Sequence, residues 1–87
     1  MDKQEAYSLV QKEIERFVCL SFEELEQHLG NNYTSEVQVT SGVRYQIDIQ
    51  VFWDDNDKRN VRIIVSVDDG GWSAFSPMTD SLLVSPA

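Results

Sequence analysis

Cys19 and His28 are the side chains best suited to nucleophile and base chemistry in this chain. They lie nine residues apart across a break between two apolar-periodic segments. A thiolate mechanism also needs an orienting group and an oxyanion site, and no residue pattern supplies either. Cys19 stands between Val18 and Leu20, where a small buried hydrophobe is the ordinary role. His28 falls in the last turn of a short helix, where a partly exposed imidazolium suits the dipole.

Two acidic stretches could act on cations or phosphates. Asp54, Asp55, Asn56 and Asp57 offer oxygen ligands, but without the glycine and distal glutamate of a calcium loop. Asp and Asn also favour hairpin loops, because they cap turn amides. Asp68-Asp69-Gly70-Gly71 precedes no helix and no lysine, so it reads as a turn and not a phosphate loop. No Asp or Glu is expected on the apolar face of a strand, where burial would raise its pKa for acid–base work. No catalytic residue, metal site or cofactor is therefore assigned.

The remaining candidates are apolar. Phe52 and Ile64 each interrupt the polar side of an alternating segment. Rimmed by Arg44, Gln46, Asp48, Gln50 and Arg62, they form a contact surface if the C-terminal segment leaves them uncovered. Trp72 and Phe75 lie on an aperiodic stretch and serve either as a lid on the core or as part of that surface. The candidate protein contact is Phe52, Ile64, Trp72, Phe75, Arg44 and Arg62.

The elements that position these residues follow from periodicity. Over 2–18, Ala6, Leu9, Val10, Ile14, Phe17 and Val18 recur mostly at three- and four-residue steps, an amphipathic helix. Ser21-Phe22-Glu23-Glu24 is a capping box that opens a second helix over 21–29, stopped by Gly30. Beyond it the period becomes two. Strands are predicted over 33–40, 43–53 and 60–68, with 81–85 a fourth strand or a packed extension.

Gly42 suits the left-handed position of a three-residue hairpin loop that sets Val39 opposite Val43. For the next hairpin, Trp53 opposite Arg59 leaves the loop 54–58 and pairs Val51 with Val61. That register also sets Arg44 opposite Asp68 and Gln50 opposite Arg62, and keeps Phe52 and Ile64 apart. A slip of two residues preserves the same faces. Since one sheet face is apolar, the two N-terminal helices must cover it. The fold class is α+β: two helices packed on one face of a three- to four-stranded antiparallel meander, one domain over 1–87.

Charge narrows the functions. The 87 residues carry 15 acids and 7 basic side chains, a net charge of −8. Such a surface repels phosphates, so direct nucleic-acid binding is not expected. The longest apolar run is Phe17-Val18-Cys19-Leu20, so no membrane span is expected. Met1–Glu5 is polar, without a signal-peptide core. A lone cysteine excludes an internal disulfide and fits a reducing cytoplasm. The expected function is a small acidic, non-enzymatic binding or regulatory module acting through contact with a protein, one of basic character by charge. The alternatives are a nucleic-acid mimic or inhibitor of a basic protein, and a small enzyme. Homodimerisation through a strand edge or the polar sheet face is compatible with the first.

Overall fold

A computed structural model describes residues 2–70 and 77–86. Helix α1 spans Lys3–Val18. The Asp2 carboxylate caps it, accepting from the amides of Gln4 at 3.0 Å and Glu5 at 3.2 Å. Its buried stripe is Ala6, Val10, Ile14 and Phe17. Val18 and Cys19 were expected on that stripe or at a buried junction, yet both are exposed. Each further residue turns about 100° around the helix, which carries them off the stripe after Phe17.

Helix α2 spans Phe22–Glu26 and carries the expected capping box. Glu24 N donates to Ser21 Oγ at 3.2 Å, and Ser21 N donates to the Glu24 carboxylate at 3.1 Å. The helix is shorter than the 21–29 of the sequence pattern. Gln27, His28 and Leu29 donate to carbonyls three residues back, at 3.2, 3.0 and 3.2 Å, so the chain tightens into turns. His28 therefore follows the helix and does not belong to its last turn. Gly30, at φ 80°, completes the reversal.

The strands are β1 (Asn32–Gln38), β2 (Arg44–Trp53), β3 (Val61–Asp68) and β4 (Met78–Val84). They pair in the order β1-β2-β3-β4, each neighbour antiparallel. In the first hairpin Val39 N donates to Val43 O at 3.0 Å, with Gly42 at φ 90°, as the sequence implies. The second hairpin takes the register slipped by two. Trp53 pairs with Val61, Val51 with Ile63 and Ile49 with Val65. Asp68 faces Gln46 and not Arg44; Gln50 faces Ile64 and not Arg62.

Both registers match apolar with apolar, so the loop decides between them. The Asp55 carboxylate accepts from the amides of Arg59 at 2.9 Å and Asn60 at 3.4 Å, and from Asn60 Nδ2 at 3.1 Å. These bonds keep Arg59 and Asn60 in the loop, which Asp54 N closes onto Asn60 O at 2.8 Å. The backbone donation from Arg59, foremost, holds the Asp55 carboxyl below its usual range.

Helix α1 lies over β3 and β4. Beneath it Val61, Ile63, Val65 and Val67 are all 0% exposed. The inward residues of β2, Tyr45, Ile47, Ile49 and Val51, are buried too. Leu25 is buried with them, and Phe22 sets its ring 6.4 Å from that of Trp53. Strand β1 is different: six of its seven residues are exposed, and Val37 alone is half-buried. No helix among the described residues is long and apolar enough to cross a membrane.

Candidate functional site

The register fixes what stands beside what on the outward sheet face. Phe52, Arg62 and Leu83 form one row across β2, β3 and β4. Gln50, Ile64 and Ser81 form the next. Ile64 is thus a diagonal neighbour of both Phe52 and Leu83, within reach of large side chains. Phe52 is 37% exposed and Leu83 is 47% exposed, while Ile64 is half-buried.

Between the two exposed residues Arg62 is held in place. Its Nε donates to Asp54 Oδ1 at 2.5 Å, and its Nη1 donates to Ser81 Oγ at 3.0 Å. The Asp54 bond raises the already high pKa of the guanidinium. The slipped register sets Phe52 opposite Arg62 and diagonal to Ile64, from which the sequence reading kept it apart. Leu83 was missed. Extending the fourth strand back to Met78 and pairing it with β3 would have found it. Arg44 lies at the opposite end of β2, across from Gln38, and is not part of this group. Trp72 and Phe75 lie outside the described residues.

The other end of the same face is acidic. Glu36, Gln46 and Asp68 form a row, and Thr34, Asp48, Ser66 and Thr79 the row beside it. Thr34 Oγ1 donates to Asp48 at 2.8 Å, and Gln46 Nε2 reaches the same carboxylate at 3.3 Å. The face therefore runs from an apolar end to an acidic one.

On the inner side, α1 leaves β1 unroofed, and a cleft of about 340 Å³ opens there. Phe17, Leu20 and Ile49 supply its apolar walls; Tyr33, Ser35 and His28 stand at its sides. Glu13 and Arg16 border it as an ion pair at 2.9 Å. His28 Nδ1 lies 2.7 Å from Tyr33 Oη, and Asn31 Nδ2 donates to that oxygen at 3.2 Å. Tyr33 Oη thus stands between the His28 ring nitrogen and the Asn31 amide. The His28 ring meets Phe17 and Tyr33 edge-on, with centroids at 5.9 and 5.8 Å.

This arrangement positions an imidazole but does not arm a nucleophile. Cys19 is exposed and does not line the cleft, so the cleft does not bring the cysteine and histidine together. Among the described residues no group of three or more His, Cys, Asp or Glu side chains is placed to hold a metal ion. In the 54–57 loop, Asp55 is occupied by amides and Asp54 by Arg62. On the inner face of β4, Asp80 does occupy an apolar-side position, contrary to expectation. It sits at the sheet edge, exposed, accepting from Gln11 Nε2 at 2.8 Å.

No protein-family model, curated protein or solved structure matches this chain.

Proposed function

We propose that the chain is a small acidic, non-enzymatic module that works by binding another protein. The observation that carries this reading is the row Phe52–Arg62–Leu83 with Ile64 beside it, on a face that no helix among the described residues covers. Two large apolar side chains flanking an immobilised arginine have the composition of an interface centre, where aromatics and arginine are enriched. The acids at the far end of the face and the net charge of −8 favour a basic partner and speed its approach. The lone cysteine, which allows no internal disulfide, supports work in a reducing compartment such as the cytoplasm.

The test is affinity capture from the native host, followed by titration with the purified captured protein. The variant carries Phe52→Ala and Leu83→Ser together. Both side chains are exposed, so the fold persists, while binding weakens about tenfold or more. Equal affinity for the parent and variant chains overturns the assignment.

A further inference from the structure

The β1 edge is open in a way that specifies what completes it. Across the first hairpin, Val39 N bonds to Val43 O, so the odd-numbered residues of β1 point their backbone groups at β2. The next hairpin agrees: Asp54 N bonds to Asn60 O, so even residues of β2 face β3. The N–H and C=O groups of Asn32, Thr34, Glu36 and Gln38 therefore point outward from the sheet. Pairing is continuous from Asn32 to Gln38, with no bulge, no proline and no lysine to blunt the edge.

Each side of that edge selects a different side chain. A strand added there sets its residues opposite Tyr33 and Ser35 on the inner side, toward the cleft walled by Phe17, Leu20 and Ile49. Apolar side chains fit it, and 340 Å³ is ample for them. Residues opposite Thr34 and Glu36 emerge on the outer side, beside the acidic rows of Glu36, Asp48 and Asp68. Lysine or arginine fits there. Arg44 stands one row further along and forms no ion pair among the described residues, leaving the acids in excess.

We propose that β1 receives an extended segment of a basic partner protein by strand addition, with apolar side chains turned into the cleft and basic ones onto the acidic end of the sheet. This rests on the protein-binding reading but uses another surface. Charge argues against a second copy as the occupant, since pairing two chains of −8 brings like charges together.

The probe is a labelled peptide about eight residues long with Lys and Val alternating. Its control has the same composition with the lysines in one block. The alternating peptide should bind about tenfold tighter, and should slow amide exchange at Thr34 and Glu36. Glu36→Pro removes one outward N–H without touching the β1–β2 ladder, and Glu36→Gln removes only the charge. The proline variant should lose the tenfold preference and the glutamine variant should keep most of it. If the proline variant does not fold, amide protection in the parent chain decides alone.

Equal binding of the two peptides, or no protection at Thr34 and Glu36, overturns the proposal. So does a concentration-dependent dimer that Glu36→Pro dissociates, which would assign the edge to a second copy. Phe52→Ala with Leu83→Ser should leave peptide binding unchanged, so failure at the edge and failure at the outer row are distinguishable.

Discussion

The two edges of this sheet are built on opposite plans. At one edge, β3 and β4 lie under α1, and the inward residues of β3 are wholly buried. At the other, β1 has one half-buried residue in seven, and among the described residues a cleft bordered by His28 takes the place of a helix. The edges themselves differ too. Strand β4 turns a charge, Asp80, to its inner side and ties it to Gln11 of α1. An inward charge discourages a further strand from stacking there. Strand β1 carries no such device. A short chain has only enough apolar surface for one core. Here that core runs beneath α1 and takes in Leu25 of α2 and the inward side of β2, which leaves β1 with little share in it.

Ile63 gives the sharpest measure of that division. It is fully buried on β3, and Ile63→Ala leaves a cavity beneath α1. The expected cost is about 3 kcal/mol, read as a lower urea midpoint at unchanged slope. A loss below about 1 kcal/mol would mean the roofed half is loosely packed, and the contrast with β1 would collapse.

Tyr45 joins the two halves. Its hydroxyl donates to Glu5 Oε1 at 2.7 Å, fastening the first turn of α1 to the start of β2. Burial first, then the Glu5 bond and charge, push its pKa up to about 12. A phenol that holds its proton more tightly when folded stabilises the fold fully below pH 10 and loses that contribution as pH rises through 12. Stability should therefore fall across that alkaline window, and one tyrosine should titrate late by ultraviolet difference absorbance. Tyr45→Phe should cost about 1.5 kcal/mol at neutral pH and abolish this alkaline step. If the variant retains the step, Tyr45 is not its source.

Ser21→Ala acts on the hinge between the halves. It removes the cap of α2, the element that carries Leu25 into the core and precedes the turn holding His28. About 1 kcal/mol should be lost. Nuclear magnetic resonance should show shifts at His28 and Tyr33 on the cleft, with little change at Val65. Shifts spread evenly over β3 would mean the hinge is part of the roofed core.

Much of this division was legible from residue types. The single change of period, from three-four to two, gave the helices, the first three strands and the side of the sheet that each of their residues faces. Ser21, Gly30 and Gly42 marked turns and caps through local chemistry, which needs no knowledge of the rest of the chain, whereas the Asp2 cap went unread. The β2–β3 register was not fixed, because Val51 finds an equally apolar partner in Val61 or Ile63. The Asp55 bonds to Arg59 and Asn60 chose between them, and a loop carboxylate gives no periodic signal. The grouping of Phe52, Ile64 and Arg62 went with it. Leu83 stayed hidden because Met78, Thr79 and Asp80 do not read as the start of a strand until β3 is beside them. The openness of β1 was equally invisible. Tyr33 and Val37 alternate with polar residues as in a covered strand, broken only by Ser35, and the placement of α1 over β3 and β4 leaves it bare.

The smallest expected effect tests the open half directly. Tyr33 is 38% exposed, and its ring and hydroxyl both meet His28 at the cleft. Tyr33→Ala gives up an edge-on ring contact and a solvent-accessible hydrogen bond, each of which water or a relaxed His28 can replace. Its cost should be about 0.5 kcal/mol, several times less than Ile63→Ala despite the larger side chain removed. The same substitution reshapes the cleft wall, so it should weaken the alternating peptide while stability barely moves. A cost above about 2 kcal/mol would show that the cleft is part of the core, because only buried contacts lose that much on truncation.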